Sequence, residues 1–276
     1  AQERALIADA LSELAKEAHS AAAKKVAVGK APPVEEVQAH IALTTSELES
    51  RKIKSDLASA RARLASAIGR ATPEFEKAEG SFEGLAVVPA LETLYSALAE
   101  SPELLLWENE LERNKAEVKL ADAAAIPDIT VSAGPRYNNE NDDKAFVMGL
   151  SIPIPLFDRN QGERQEARVN VAKAEEEHKA ALLSIRSELA QAYQSCSASF
   201  ALAVALQEKA IPSAQQALTV TRKGYRQGKF SYLEVLDAQR TLFELQQQYI
   251  DTLTDYHAGR TAIERLIGQS LQELNI

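Results

Sequence analysis

Along residues 1–28 alanines recur among charged side chains at helical spacing, which predicts a polar, Ala-rich helix. The stretch GKAPP at 29–33 ends it, because glycine stops helices and proline is tolerated only at a fresh start. A second helix is expected over 34–68, with Ile53, Leu57, Ala60, Leu64 and Ile68 on one face and Gly69 closing it. Residues 70–88 carry proline, glycines and phenylalanines and read as a connector, and a short helix follows Pro89. SPEL at 101–104 marks another start: Ser101 as N-cap, Pro102 at the first helical position and Glu103 in the first turn. That helix is expected to reach about residue 125.

The period then changes from 3.6 to 2. Ile129, Val131 and Ala133 alternate with Thr130, Ser132 and Gly134. In a second arm Phe146, Met148, Leu150, Ile152 and Ile154 alternate with Ala145, Val147, Gly149 and Ser151. A polar loop at 138–144 joins the arms. Two strands of about ten residues with one apolar face match one hairpin of a membrane barrel, and equally a soluble hairpin with one buried face.

From Gln161 helical spacing returns. Leu182, Ile185, Leu189, Ala192, Cys196, Ser199, Ala203, Leu206 and Ala210 form a coiled-coil seam built mostly of small residues. Pro212 is expected to kink this helix, which runs on to Arg226. After Gly228 a further helix repeats the seam through Leu242, Leu245, Tyr249, Leu253, Tyr256, Ile263 and Leu266, and Gly268 closes it.

The chain also matches itself at an offset of 199 residues. Gly29-Lys30 falls on Gly228-Lys229, Glu35 on Glu234, Ala39 on Ala238, Leu43 on Leu242, Asp56 on Asp255, Arg61 on Arg260 and Ile68-Gly69 on Ile267-Gly268. The turn glycine and the closing glycine stand 40 residues apart in both copies, without a gap. Such a repeat predicts two equivalent antiparallel helical hairpins. Twin hairpins in one chain suit a ring or tube, where each copy takes a similar place around an axis. The opening residues read as mid-helix without a cap, so upstream sequence holding another strand hairpin is expected.

Composition narrows the class. Aromatics are only 5% of the 276 residues while apolar residues reach 45%, as in long helices packed through small side chains. A net charge of −9, with no basic stripe interleaved with aromatics, argues against nucleic acid. The one cysteine, Cys196, rules out an internal disulfide and reads as a packing residue. His19, His40, His178 and His257 are scattered singly, Glu175 and His178 read as a charged helix face, and no phosphate loop or nucleophile beside a base is found. Neither catalysis nor a metal site nor a cofactor is expected.

The order SPEL, IPDITVSAGPRY, VMGLSIPIPLFDRNQG, long helix, GYRQGKFSYLEVLDAQ and IG resembles the TolC-like outer-membrane efflux proteins, most of all their cobalt–zinc–cadmium-type branch. The resemblance implies a mainly α fold of long coiled-coil hairpins in two pseudo-repeats with one β-hairpin contributing to a membrane barrel. It implies a homotrimer in the outer membrane and periplasm of a Gram-negative bacterium, meeting a periplasmic adaptor and an inner-membrane pump. The chain is then a passive export conduit, with heavy-metal cations as candidate cargo. A soluble periplasmic coiled-coil scaffold or adaptor is the alternative.

The resemblance places an adaptor-docking surface at the two turns: Gly29, Val34, Val37, Ala39, Gly228, Leu233, Val235, Leu236 and Ala238. It places a gate at Glu35, Tyr225, Glu234 and Asp237, although Phe230 stands where the family's lock carries an arginine. Glu234 and Asp237, three apart, share a helix face and would form carboxylate rings under threefold symmetry. Phe146, Met148, Leu150 and Ile152 would face lipid. The expected division is 1–69 first hairpin, 70–100 connector, 101–125 second-repeat helix, 126–158 barrel hairpin, 159–268 second long hairpin and 269–276 tail. Two strands cannot close a barrel built for four. The chain by itself is therefore expected to be soluble and monomeric or irregularly associated.

Overall fold

The computed structural model describes residues 1–80, 82–138, 143–154 and 156–274. In chain order it contains α1 (Gln2–Ala27), α2 (Pro33–Ala67), α3 (Leu91–Ala97) with a 3-10 turn (Leu98–Glu100), α4 (Pro102–Ala124), β1 (Thr130–Asn138) and β2 (Asp143–Ser151). Then come α5 (Gln161–Ala205), a π-turn (Leu206–Ala210), α6 (Ile211–Arg226) and α7 (Tyr232–Ile267). The fold is mainly α, with long helical hairpins, as the periodicity predicts. No helix among the described residues is long and apolar enough to cross a membrane.

Two compact units are present: residues 1–88 with 192–261, and residues 89–191 with 262–276. In the first, α1 buries Ala5, Ala8, Ala15 and Ala22, a near-heptad stripe of alanines that lets helix backbones approach closely. From α2 it buries Ala39, Ser46, Ser50, Ile53 and Ala65. Asp9 clasps this hairpin, accepting from the Ser50 hydroxyl at 2.7 Å and pairing with Lys54 at 2.8 Å. These two partners hold the Asp9 carboxyl below its ordinary range. Ala203, Leu206, Tyr249 and Leu253 form a second cluster onto which Phe82 and Leu85 of the connector pack. The Tyr256 hydroxyl fixes the connector by donating to the Ala86 carbonyl at 2.8 Å and accepting from the Ala86 N–H at 3.0 Å.

In the second unit Leu94, Leu98, Leu104, Ile185, Leu189, Ile263, Leu266 and Ile267 are buried. β1 and β2 pair antiparallel in the register Val131↔Leu150, Ala133↔Met148 and Pro135↔Phe146. The turn before α5 is held by side chains. Asp158 accepts from the Asn160 N–H at 2.9 Å, and the Asn160 amide donates to the Ala121 carbonyl at 3.1 Å.

Several sequence-based expectations need correction. Ser101 occupies the N-cap position, but its hydroxyl is buried without a hydrogen-bond partner and caps nothing. Leu64 and Ile68 are exposed, and Ala65 is the residue that turns inward near the end of α2. At Pro212 the expected disturbance of the helix takes the form of a π-turn just upstream. The proline's missing N–H leaves the carbonyl four residues back without a helical donor, and widening the preceding turn accommodates this. Ile152 and Ile154 lie beyond the end of β2. The ladder takes in Tyr137↔Lys144 and Asn138↔Asp143, so the expected loop at 138–144 is too wide; its centre, 139–142, lies outside the described residues. Ser81 of the expected connector, Pro155 of the quoted motif and residues 275–276 of the expected tail also lie outside them.

Candidate functional site

The two glycine turns have the same backbone. After α1, the Lys30 N–H reaches back to the Lys25 carbonyl at 2.8 Å and the Gly29 N–H to Val26 at 2.9 Å. After α6, Lys229 reaches Gly224 at 2.9 Å and Gly228 reaches Tyr225 at 3.1 Å. Each pair makes a Schellman end with glycine in the left-handed region, φ 70° at Gly29 and 72° at Gly228.

One unit holds both turns and ties them together. The Tyr225 hydroxyl donates to Glu35 Oε2 at 2.9 Å, linking the end of α6 to the first turn of α2. Lys25 joins from α1: its ammonium donates to the Tyr225 carbonyl at 3.2 Å and lies 3.4 Å from the centre of the Tyr225 ring. Tyr232, at the start of α7, packs with Ala22 and Ala39, and its ring centre is 5.5 Å from that of Tyr225. Burial, then the hydrogen bond to Glu35, pushes the Tyr225 phenol far up. Burial, then the charge of Glu35, pushes Tyr232 up to about 12. Phe230 lies over Gly224, where an added Cβ would come within 2.1 Å of the ring. The ring therefore needs glycine at that position.

Of the residues singled out in the sequence, Glu35 and Tyr225 are in contact. Glu234 is held within its own helix start, accepting from the Ser231 N–H at 2.7 Å and the Ser231 hydroxyl at 2.9 Å. This is the carboxylate half of a capping box. Asp237 is exposed one turn on. Gly29, Val34, Val37, Gly228 and Leu233 are exposed around the turns, and Leu236 and Ala238 are half-buried. Ala39 (0% exposed) and Val235 (5%) are interior packing residues and offer no docking surface in this chain. Antiparallel helices pack right up to their last turn, so nearness to a turn is not exposure. Lys25 escaped the sequence reading, because nothing local marks a lysine that meets a tyrosine 200 positions away.

At the strand hairpin the apolar side chains lie open, with Phe146 71% and Met148 74% exposed. Val131, Leu150 and Ile152 are exposed as well. The other face carries Thr130, Ser132, Gly134, Ala145, Val147, Gly149 and Ser151. An added Cβ at Gly149 would come within 2.8 Å of the Ser132 hydroxyl across the ladder.

Paired helical hairpins with matching turns, together with an antiparallel strand pair whose apolar face is uncovered, place the chain in the mainly α class built on long helical hairpins with one β-hairpin. The family model for outer membrane efflux proteins matches residues 93–269, and the chain belongs to that family. It is similar to the cobalt-zinc-cadmium resistance protein CzcC of Cupriavidus metallidurans, with 37% identity over 269 residues, covering 98% of this chain and 64% of that protein. It is also similar to the probable outer membrane lipoprotein SilC of Salmonella typhimurium, with 28% identity over 79% of this chain and 49% of that protein. Among solved structures, the outer membrane protein VceC of Vibrio cholerae shares the fold, with a TM-score of 0.78 at 20% identity, covering 98% of this chain and 66% of that one. The chain thus spans about half to two thirds of the length of these relatives.

Proposed function

We propose that this chain forms the helical and barrel-forming part of an outer-membrane channel subunit, a passive conduit in a three-part exporter of a Gram-negative bacterium. The observation that carries this reading is the Tyr225–Glu35 hydrogen bond, which joins the tips of the two repeats. Twin hairpins meeting at their turns are the unit a tube wall needs, and a bond between the turns is a latch at its mouth.

Three copies assemble, and the open face of Val131, Phe146, Met148, Leu150 and Ile152 meets outer-membrane lipid. The exposed residues Gly29, Val34, Val37, Gly228 and Leu233, with half-buried Leu236 and Ala238 behind them, form the surface for a periplasmic adaptor, which links to an inner-membrane pump. Ala39 and Val235 support that surface from within. Glu234 and Asp237, repeated around the axis, favour cations at the entrance. The chain carries no catalysis, and the pump supplies the work. Similarity to a cobalt-zinc-cadmium resistance protein supports metal cations as cargo.

The test is complementation. In a Gram-negative host lacking its own metal-efflux outer channel but holding a compatible adaptor and pump, the full-length protein that includes this chain should restore growth on cobalt, zinc or cadmium. The product should fractionate with the outer membrane. Restored growth from a product found only in the soluble periplasm would overturn the conduit in favour of a scaffold.

A further inference from the structure

The register of the α1/α2 hairpin sets His19 of α1 against His40 of α2, with ring centres 5.4 Å apart and ring planes at 49°. Sequence reading treats the four histidines as isolated; the fold pairs two of them. The pairing belongs to a fixed register, with Ser50 and Lys54 on Asp9 along the same hairpin and Ala22 packed with Ala39 beside the turn. His19 is half-buried and His40 exposed, so solvent reaches the pair.

We propose that His19 and His40 form a two-histidine site for a borderline divalent transition-metal cation such as Co²⁺, Ni²⁺, Cu²⁺ or Zn²⁺. A metal bound in line with a ring nitrogen at about 2.0–2.1 Å lies about 3.2 Å from the ring centre. With one nitrogen of each ring turned toward a shared ion, rings whose centres stay 5.4 Å apart would subtend about 115° at the metal, close to a tetrahedral angle. Imidazole nitrogen suits these cations, whereas magnesium and calcium prefer oxygen. Among the described residues no group of three histidine, cysteine or carboxylate side chains is placed to hold a metal. Water therefore completes the shell, and exchange with solvent is open. Bridging α1 to α2, the ion staples the hairpin and stabilises the folded chain by mass action. The site stands on ring geometry and does not depend on the conduit reading.

The purified chain is titrated with CoCl₂ and with ZnCl₂, by calorimetry and, for cobalt, by visible absorption. One equivalent should bind and raise the melting temperature. His19→Ala or His40→Asn should weaken binding at least tenfold, the double variant should abolish it, and His178→Ala should leave it unchanged. Far-UV circular dichroism confirms that each variant stays helical; exposed His40 gives the substitution safest for the fold. No saturable binding, undiminished binding in the double variant, or equal loss in His178→Ala would overturn the site.

Discussion

The phenol of Tyr225 donates to the carboxylate of Glu35 at 2.9 Å across 190 positions of sequence. Lys25 supports it from the other side, with its ammonium 3.4 Å from the ring centre. Three helices thus converge on one aromatic ring. A hydrogen bond to a charged group contributes about 1.5–3 kcal/mol when buried, and about 1 kcal/mol is the expected share at this half-exposed site. Tyr225→Phe should lower unfolding stability by that amount. Hydrogen exchange at the amides of Lys30 and Lys229 should quicken while the Asp9 clasp stays protected. In a channel assay of the assembled protein the same variant should conduct more. Unchanged exchange at both turns would show that the bond holds nothing shut.

Alkaline pH should loosen the same region. Tyr225 and Tyr232 are both raised, chiefly by burial, the latter to about 12. Tyr249 is raised by burial too. Below pH 10 these phenols are neutral in both folded and unfolded chains, so their contribution is fully present. Above it the unfolded chain loses protons that the folded one retains, and stability falls as pH rises. A titration followed at 295 nm should show Tyr225, Tyr232 and Tyr249 ionising late, and the melting temperature should fall from about pH 10 upward. Tyr225→Phe should remove one late phenol.

Much of this architecture is legible because its punctuation is chemical. Glycine at 29, 69, 228 and 268 ends a helix in each copy, and all four adopt positive φ between 70° and 77°. Alternation of large and small side chains sets the strand faces. What depends on register across a hairpin is not legible: α1 meets its neighbours mainly through alanines, and an alanine stripe carries little information about which residue lies opposite. For that reason the contacts of Lys25 and the His19–His40 pair emerge only from coordinates. The π-turn was hidden for a different reason. Proline announces that a helical hydrogen bond is lost, but the packing around it decides how the backbone adjusts.

The repeat can be tested at its turns. Gly29 and Gly228 have φ of 70° and 72°, and an added Cβ at either would meet nothing within 4 Å. The cost of alanine there is purely conformational, on the order of 1–2 kcal/mol. Gly29→Ala and Gly228→Ala should therefore destabilise by nearly equal amounts, with asparagine milder at both, as read from urea denaturation. A several-fold inequality would mean that the two turns are not equivalent.

Cys196 should be inert until the chain unfolds. Burial raises its thiol to about 11 and it is fully enclosed, so Ellman's reagent at neutral pH should react only in denaturant. Gly259 explains the tightness: an added Cβ would lie 3.0 Å from Cys196 Cβ and 3.2 Å from its Cα. Gly259→Ala should cost about 1–3 kcal/mol by overpacking and expose the thiol to reagent sooner.

The strand hairpin separates folding from membrane association. Phe146 and Met148 are more than two-thirds exposed, so replacing them removes little packing from this chain. Met148→Asp should leave the helical circular dichroism unchanged and the unfolding free energy within about 0.5 kcal/mol of the parent. If that face meets lipid, the same change places a charge in hydrocarbon, at a cost that rises toward the middle of the bilayer. The assembled protein should then fail to enter the outer membrane, while Val147→Asp on the opposite face should be tolerated better. Equal tolerance of both substitutions in outer-membrane fractions would show that the apolar face does not meet lipid.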